Sequence, residues 1–110
     1  MPNGWDRNWV RFTLTVAAFH AELGVWPTTI RLSPDMLAHL RGLFSSERLA
    51  ILERRISLVP DEDMDIDAFF CAEDDAGRSC YYGAPVETDE TAQARQWLGV
   101  RPDNPHGWKD

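Results

Sequence analysis

Between Trp5 and Leu23 the large apolar residues Trp5, Trp9, Phe12, Val16, Phe19 and Leu23 recur at steps of four, three, four, three and four. That spacing traces one face of an α-helix, and Gly24 stands where such a helix would close. A strand pattern competes inside it, because Val10, Phe12, Leu14 and Val16 alternate with Arg11, Thr13 and Thr15. The length of the stripe and the helix-favouring run AAFHAEL after it decide for helix. The chain has 110 residues, which suits one domain over 1–100. A domain of this size buries about two-thirds of its unfolded surface, enough for a core without disulfide or metal staples.

After this helix the punctuation becomes dense. Pro27 disfavours a helical Trp26 and turns the chain. The β-branched segment Thr28 to Leu32 reads as a short strand. Ser33-Pro34-Asp35 combines a capping hydroxyl, a proline suited to the first helical position and an acid at the positive helix end. A helix to about Leu40 is therefore expected, with Gly42 near its end. Ser45 or Ser46 starts another short helix through Leu49 and Leu52, with Arg54 and Arg55 in its last turn. Arg55 to Val59 reads as a strand stopped by Pro60.

Residues 68–73 and 78–83 flank Asp74-Asp75-Ala76-Gly77, where Gly77 supplies the left-handed turn position of a hairpin. The expected register sets Glu73 opposite Arg78 and Cys71 opposite Cys80. One face would then carry Phe69, Cys71, Cys80 and Tyr82, and the other Phe70, Ala72, Ser79 and Tyr81. Glu90 to Leu98 reads as a final helix capped by Gly99, docked through Trp97 and Leu98. The two prolines and few apolar residues of 101–110 suggest a flexible tail. The expected fold is α+β: an N-terminal helix, two short central helices, a small mostly antiparallel sheet and a short C-terminal helix.

Charge is unevenly divided. Residues 1–59 hold seven Arg against five acids, whereas residues 60–110 hold thirteen acids against four bases, and the formal total is −7. Such a balance disfavours direct binding of a nucleic-acid backbone. Asp61, Glu62, Asp63, Asp65, Asp67, Glu73, Asp74 and Asp75 fall within fifteen residues containing no base. Arginines of the first half are expected to neutralise some of these acids on folding. The remainder form either a solvated face or a docking surface for a basic partner. Asp61, Asp63 and Asp65 match the first three ligand positions of an EF-hand loop, but Ile66 stands where its glycine belongs and Ala72 where its bidentate Glu belongs.

Catalytic signals are sparse. Cys71 and Cys80 read as structural thiols, with a labile disulfide or a metal site as alternatives. Of His20, His39 and His106, only His20 invites pairing with a thiol, and nothing in the spacing requires it. No G-x-S-x-G, H-E-x-x-H, Walker loop or dinucleotide fingerprint occurs in the sequence. Trp5, Trp9 and Trp97 suit the core and Trp26 a packed corner, whereas Trp108 lies in the polar tail as a candidate partner anchor.

The segments GVWPTTIRL, AEDDAGRSCYYG and WLGV are similar to a group of small uncharacterised bacterial proteins. The resemblance spans roughly residues 5–100, its motifs are structural punctuation, and it implies no catalytic residue. An Ala- and Arg-rich composition also suits a GC-rich bacterial genome or one of its mobile elements.

The sequence therefore reads as a non-enzymatic acidic interaction protein of the cytoplasm, without cofactor, metal or membrane partner. Its candidate partner-binding residues are the eight acids and Trp108. A sharper form is an inhibitor that mimics nucleic-acid charge against a DNA- or RNA-handling protein, as anti-CRISPR and anti-restriction proteins do. The alternatives are a small metal- or thiol-dependent enzyme built on the acidic loop or the Cys pair, and a self-associating structural subunit.

Overall fold

The computed structural model describes residues 7–64, 69–81 and 89–102. Helix α1, Arg7–Leu23, follows the apolar stripe and closes at Gly24, whose φ of 75° lies in the left-handed region. Trp5 lies outside the described residues. Burial on α1 exceeds the predicted stripe, because Val10, Thr13, Leu14, Thr15 and Ala17 are buried with Trp9, Phe12, Val16 and Phe19. The competing strand pattern has its explanation here. The threonine hydroxyls that broke the helical periodicity donate back along the helix, Thr13 to the Val10 carbonyl and Thr15 to the Arg11 carbonyl, both at 2.8 Å. They are thereby satisfied without water, and polar-looking positions can enter the core.

Strand β1, Thr29–Leu32, follows the Trp26-Pro27 corner and leads into α2, Pro34–Arg41. The Ser33 hydroxyl accepts from the Met36 N–H, as the Ser-Pro-Asp start predicts. Helix α3, Ser46–Arg55, is capped by Ser45, which accepts from the Arg48 N–H. Arg55 and Ile56 were expected at the start of a strand. Instead Arg55 ends α3, Ile56 caps it in an extended conformation, and β2 runs Ser57–Pro60. Strands β3, Cys71–Glu73, and β4, Ser79–Tyr81, form the hairpin, and α4, Asp89–Leu98, ends at Gly99 with φ 72°.

The sheet order is β2-β1-β3-β4. Strand β1 pairs in parallel with β2 and antiparallel with β3, and β3 pairs antiparallel with β4. The α+β expectation holds, with one parallel pair that local turn signals do not announce. A parallel pair needs a long crossover, here supplied by α2 and α3. Pro60 is tolerated because β2 is an edge strand.

Ile30, Leu32, Phe70 and Ala72 are fully buried on or beside the sheet. Phe12 meets Phe70 edge-on with centroids 5.5 Å apart and stacks on Trp9 at 5.3 Å, while Trp9 meets Phe44 edge-on at 5.4 Å. These aromatic contacts join α1, the sheet and the segment after α2. Helix α4 packs against α1 and buries Thr91, Ala94 and Leu98. Among the described residues no helix is long and apolar enough to cross a membrane.

The hairpin register differs by one residue from the expectation. Cys71 pairs with Tyr81, Ala72 with Cys80, and Glu73 with Ser79. Asp74, not Glu73, therefore stands opposite Arg78, and the two cysteines are not cross-strand partners. The cause is local. Asp74 Oδ1 accepts the N–H groups of Ala76 and Arg78 at 3.1 and 3.0 Å, and the Asp74 N–H donates to the Arg78 carbonyl at 3.1 Å. Gly77 at φ 82° completes a three-residue loop, 75–77, rather than the expected four-residue one. A one-residue slip exchanges the β4 positions that share a face with each β3 position. Cys71 itself is buried. Tyr82 lies outside the described residues.

Candidate interaction surface

Side chains at paired strand positions share a sheet face, which sets buried Ile30 and Ala72 on one side and Thr29, Arg31, Val59, Cys71 and Glu73 on the outer one, where Cys71 beside Arg31 is nevertheless buried. Arg31 is at the centre of that face. Its Nη2 lies 2.9 and 2.7 Å from the two carboxylate oxygens of Glu73, and its Nε lies 3.7 Å from Asp61. An arginine of the first half thus neutralises acids of the second half, as the charge asymmetry predicts. Asp61 comes there because its N–H donates to the Leu32 carbonyl at 2.8 Å, beyond the ends of β1 and β2. Its Oδ1 also accepts the Asp63 N–H at 2.9 Å, which turns the chain so that Glu62 and Asp63 are exposed.

At the hairpin turn, Asp74 is bound tightly to its own loop. Arg78 Nη2 lies 2.7 Å from Asp74 Oδ2, and only 7% of the Asp74 side chain is accessible. Partial desolvation raises the carboxyl pKa, but the Arg78 backbone N–H, its guanidinium and charge, and the Ala76 N–H together hold it below the ordinary 3.8. Asp75 is exposed and accepts from Thr28 Oγ1 at 3.3 Å.

The structure therefore divides the sequence-predicted acids. Asp61, Glu73 and Asp74 are held in ion pairs that fix β1, β3 and the turn. Glu62, Asp63 and Asp75 are exposed. Asp65, Asp67 and Trp108 lie outside the described residues. Six of the eight sequence-predicted acids are described, and three of them pair with the two cations Arg31 and Arg78.

Other candidates resolve into packing. The His20 ring stacks on Trp26 with centroids 3.8 Å apart, Trp26 stacks on Trp97 at 4.8 Å, and the Arg55 guanidinium lies 5.5 Å from the Trp97 ring. This column ties the end of α1 and the Trp-Pro corner to α4 and α3. His39 sits in the last turn of α2, and His106 lies outside the described residues. Among the described residues, no three His, Cys, Asp or Glu side chains converge so as to hold a metal ion.

Sequence reading missed a second charged region. An open cavity of about 500 Å³ at the end of α4 is lined by Trp9, Arg95, Gln96, Gly99, Val100 and Arg101. A neighbouring hollow of about 320 Å³ shares Gly99 and is lined by Arg54 and Arg55 of α3. The expected tail begins against this region, since the Arg101 carbonyl accepts from Arg48 Nη1 at 3.3 Å and Pro102 is buried. The arginines come from separate segments, and only the Arg54-Arg55 pair is a signal visible in one stretch of sequence.

Comparison of the chain with protein-family models, curated proteins and solved structures finds no match.

Proposed function

We propose that this chain is a non-enzymatic interaction protein whose acidic outer sheet face docks a basic partner, with the surface of a nucleic-acid-handling protein as the leading class. The observation that carries the reading is the arrangement around Arg31. One central cation is enclosed by Asp61 and Glu73, and beyond them Glu62, Asp63 and Asp75 stay exposed. A rigid, hydrogen-bonded base presenting uncompensated carboxylates suits charge-steered association, which is fast and weakens as salt screens the field. Inhibition by mimicry of nucleic-acid charge is the sharper form of the same reading.

The division of the acids shapes the test. Glu62→Gln, Asp63→Asn and Asp75→Asn remove three exposed charges while leaving the Arg31 and Arg78 pairs intact. Tagged native protein and this triple variant would each be exposed to nuclease-treated lysate of the source organism, and the retained proteins identified by mass spectrometry. The expected result is one stoichiometric, basic nucleic-acid-handling partner on the native protein, released by salt and absent from the folded variant. Equal retention by both proteins, or no retained partner, would overturn the proposal.

A further inference from the structure

We infer that a second copy of this chain pairs with the open edge of β2, giving a two-fold dimer whose sheet runs through both copies. Strand β2 ends the sheet order, and Ser57, Val59 and Pro60 are exposed along it. The Ser57 and Asp61 N–H groups donate inward to the Thr28 and Leu32 carbonyls, so alternation turns the Leu58 N–H and carbonyl outward. Pro60 lies on that outer side and has no N–H to offer, which confines main-chain pairing to the neighbourhood of Leu58.

The charges at the two ends of β2 select the occupant. Arg54 and Arg55, both exposed, precede the strand, and the exposed Glu62 and Asp63 follow it. Arg55 lies against the Trp97 ring. Among the described residues, neither arginine has a carboxylate partner, and neither the Glu62 nor the Asp63 side chain has a cation. Extended chain rises about 3.3 Å per residue, so the strand holds the two charged groups roughly 20 Å apart, well beyond the screening length of about 8 Å. They cannot neutralise each other within one copy.

Antiparallel pairing of two β2 strands brings them together. With Leu58 opposite the second copy's Leu58, the two residues exchange both N–H···O bonds as a hydrogen-bonded pair. Ser57 then stands opposite the second copy's Val59, and the two Val59 side chains, each 41% exposed in the single chain, become diagonal neighbours on the outer face. The same register carries Arg54 and Arg55 of each copy to the end where the other presents Glu62 and Asp63, twice by symmetry. A parallel pairing would set like charges together. The two-fold uses both β2 edges and so closes at two copies. Few main-chain bonds, exposed ion pairs and the −7 charge of each copy make the dimer weak and concentration-dependent.

Sedimentation equilibrium of the full chain over a rising concentration series tests the inference. The mass should climb toward twice that of one chain and stop there. Arg54→Glu with Arg55→Glu should abolish association, as should Glu62→Arg with Asp63→Arg. An equimolar mixture of the two folded variants should form a one-to-one dimer, because each then meets opposite charge at both ends of β2. Hydrogen exchange at the Leu58 amide should slow as the dimer forms. Arg54 and Arg55 take no part in the acidic docking surface, so their variant tests the pairing apart from that reading. A mass that stays monomeric at millimolar concentration, or grows past two copies, overturns the inference. So does a dimer that survives either charge reversal or leaves Leu58 exchange unchanged, or a mixture of the variants that stays monomeric.

Discussion

Asp74 shows how one carboxylate sets a local structure. Its two oxygens hold the Ala76 and Arg78 N–H groups and the Arg78 guanidinium, so the ionised form is favoured in the folded chain. A carboxyl with a folded pKa below its unfolded value stabilises the fold above about pH 4 and loses that contribution as pH falls through the lowered value. Urea unfolding followed against pH should therefore show an acid-side loss in the native chain that is smaller in Asp74→Asn. Gly77 makes a conformational contribution instead. A Cβ there would meet nothing within 4 Å, yet φ is 82°, so Gly77→Ala should cost about 1–2 kcal/mol through backbone strain alone. Phe12 is a packing residue, fully buried between Trp9 and Phe70. Phe12→Ala should cost about 3–5 kcal/mol in denaturant unfolding, enough to threaten a domain of this size.

Among the elements, those with local signatures were legible in advance. The 3–4 spacing, the Trp26-Pro27 corner, Ser33-Pro34-Asp35 and Gly99 each act within a few residues, and each marks an element boundary where it was expected. The hairpin was legible as a hairpin, but its register depended on a side chain competing for turn N–H groups, which hydrophobic alternation does not encode. The parallel β1–β2 pair lay further out of reach, because residues about 28 apart meet only after α2 and α3 have packed. The same holds for the candidate surfaces. The acidic segment was legible as composition, but its division into pinned and exposed carboxylates required Arg31 to arrive on β1. Arg31 links the ends of β2 and β3 across that strand, and its side chain is 38% accessible. Solvent screening at that exposure limits Arg31→Gln to a loss of about 1 kcal/mol, measurable as a small shift in the urea midpoint.

Across the whole molecule the charge is organised, not merely negative. Among the described residues, Asp61 and Glu73 meet at Arg31 on the outer sheet face, and Arg54, Arg55 and Arg95 stand in the last turns of α3 and α4. Two such surfaces make separable predictions about binding, because neutralising one leaves the other's local field in place. At physiological ionic strength the screening length is about 8 Å, so each surface acts mainly on what approaches it directly. The most direct measurement of the central claim is the salt dependence of association between this chain and the basic partner it retains. It would be repeated with Glu62→Gln/Asp63→Asn/Asp75→Asn and with Arg95→Gln/Arg101→Gln. An acidic docking face predicts affinity that falls steeply with salt, a much flatter dependence and weaker binding in the carboxylate variant, and full binding in the arginine variant. Association indifferent to salt, or lost through the arginine substitutions and kept through the carboxylate ones, would contradict it.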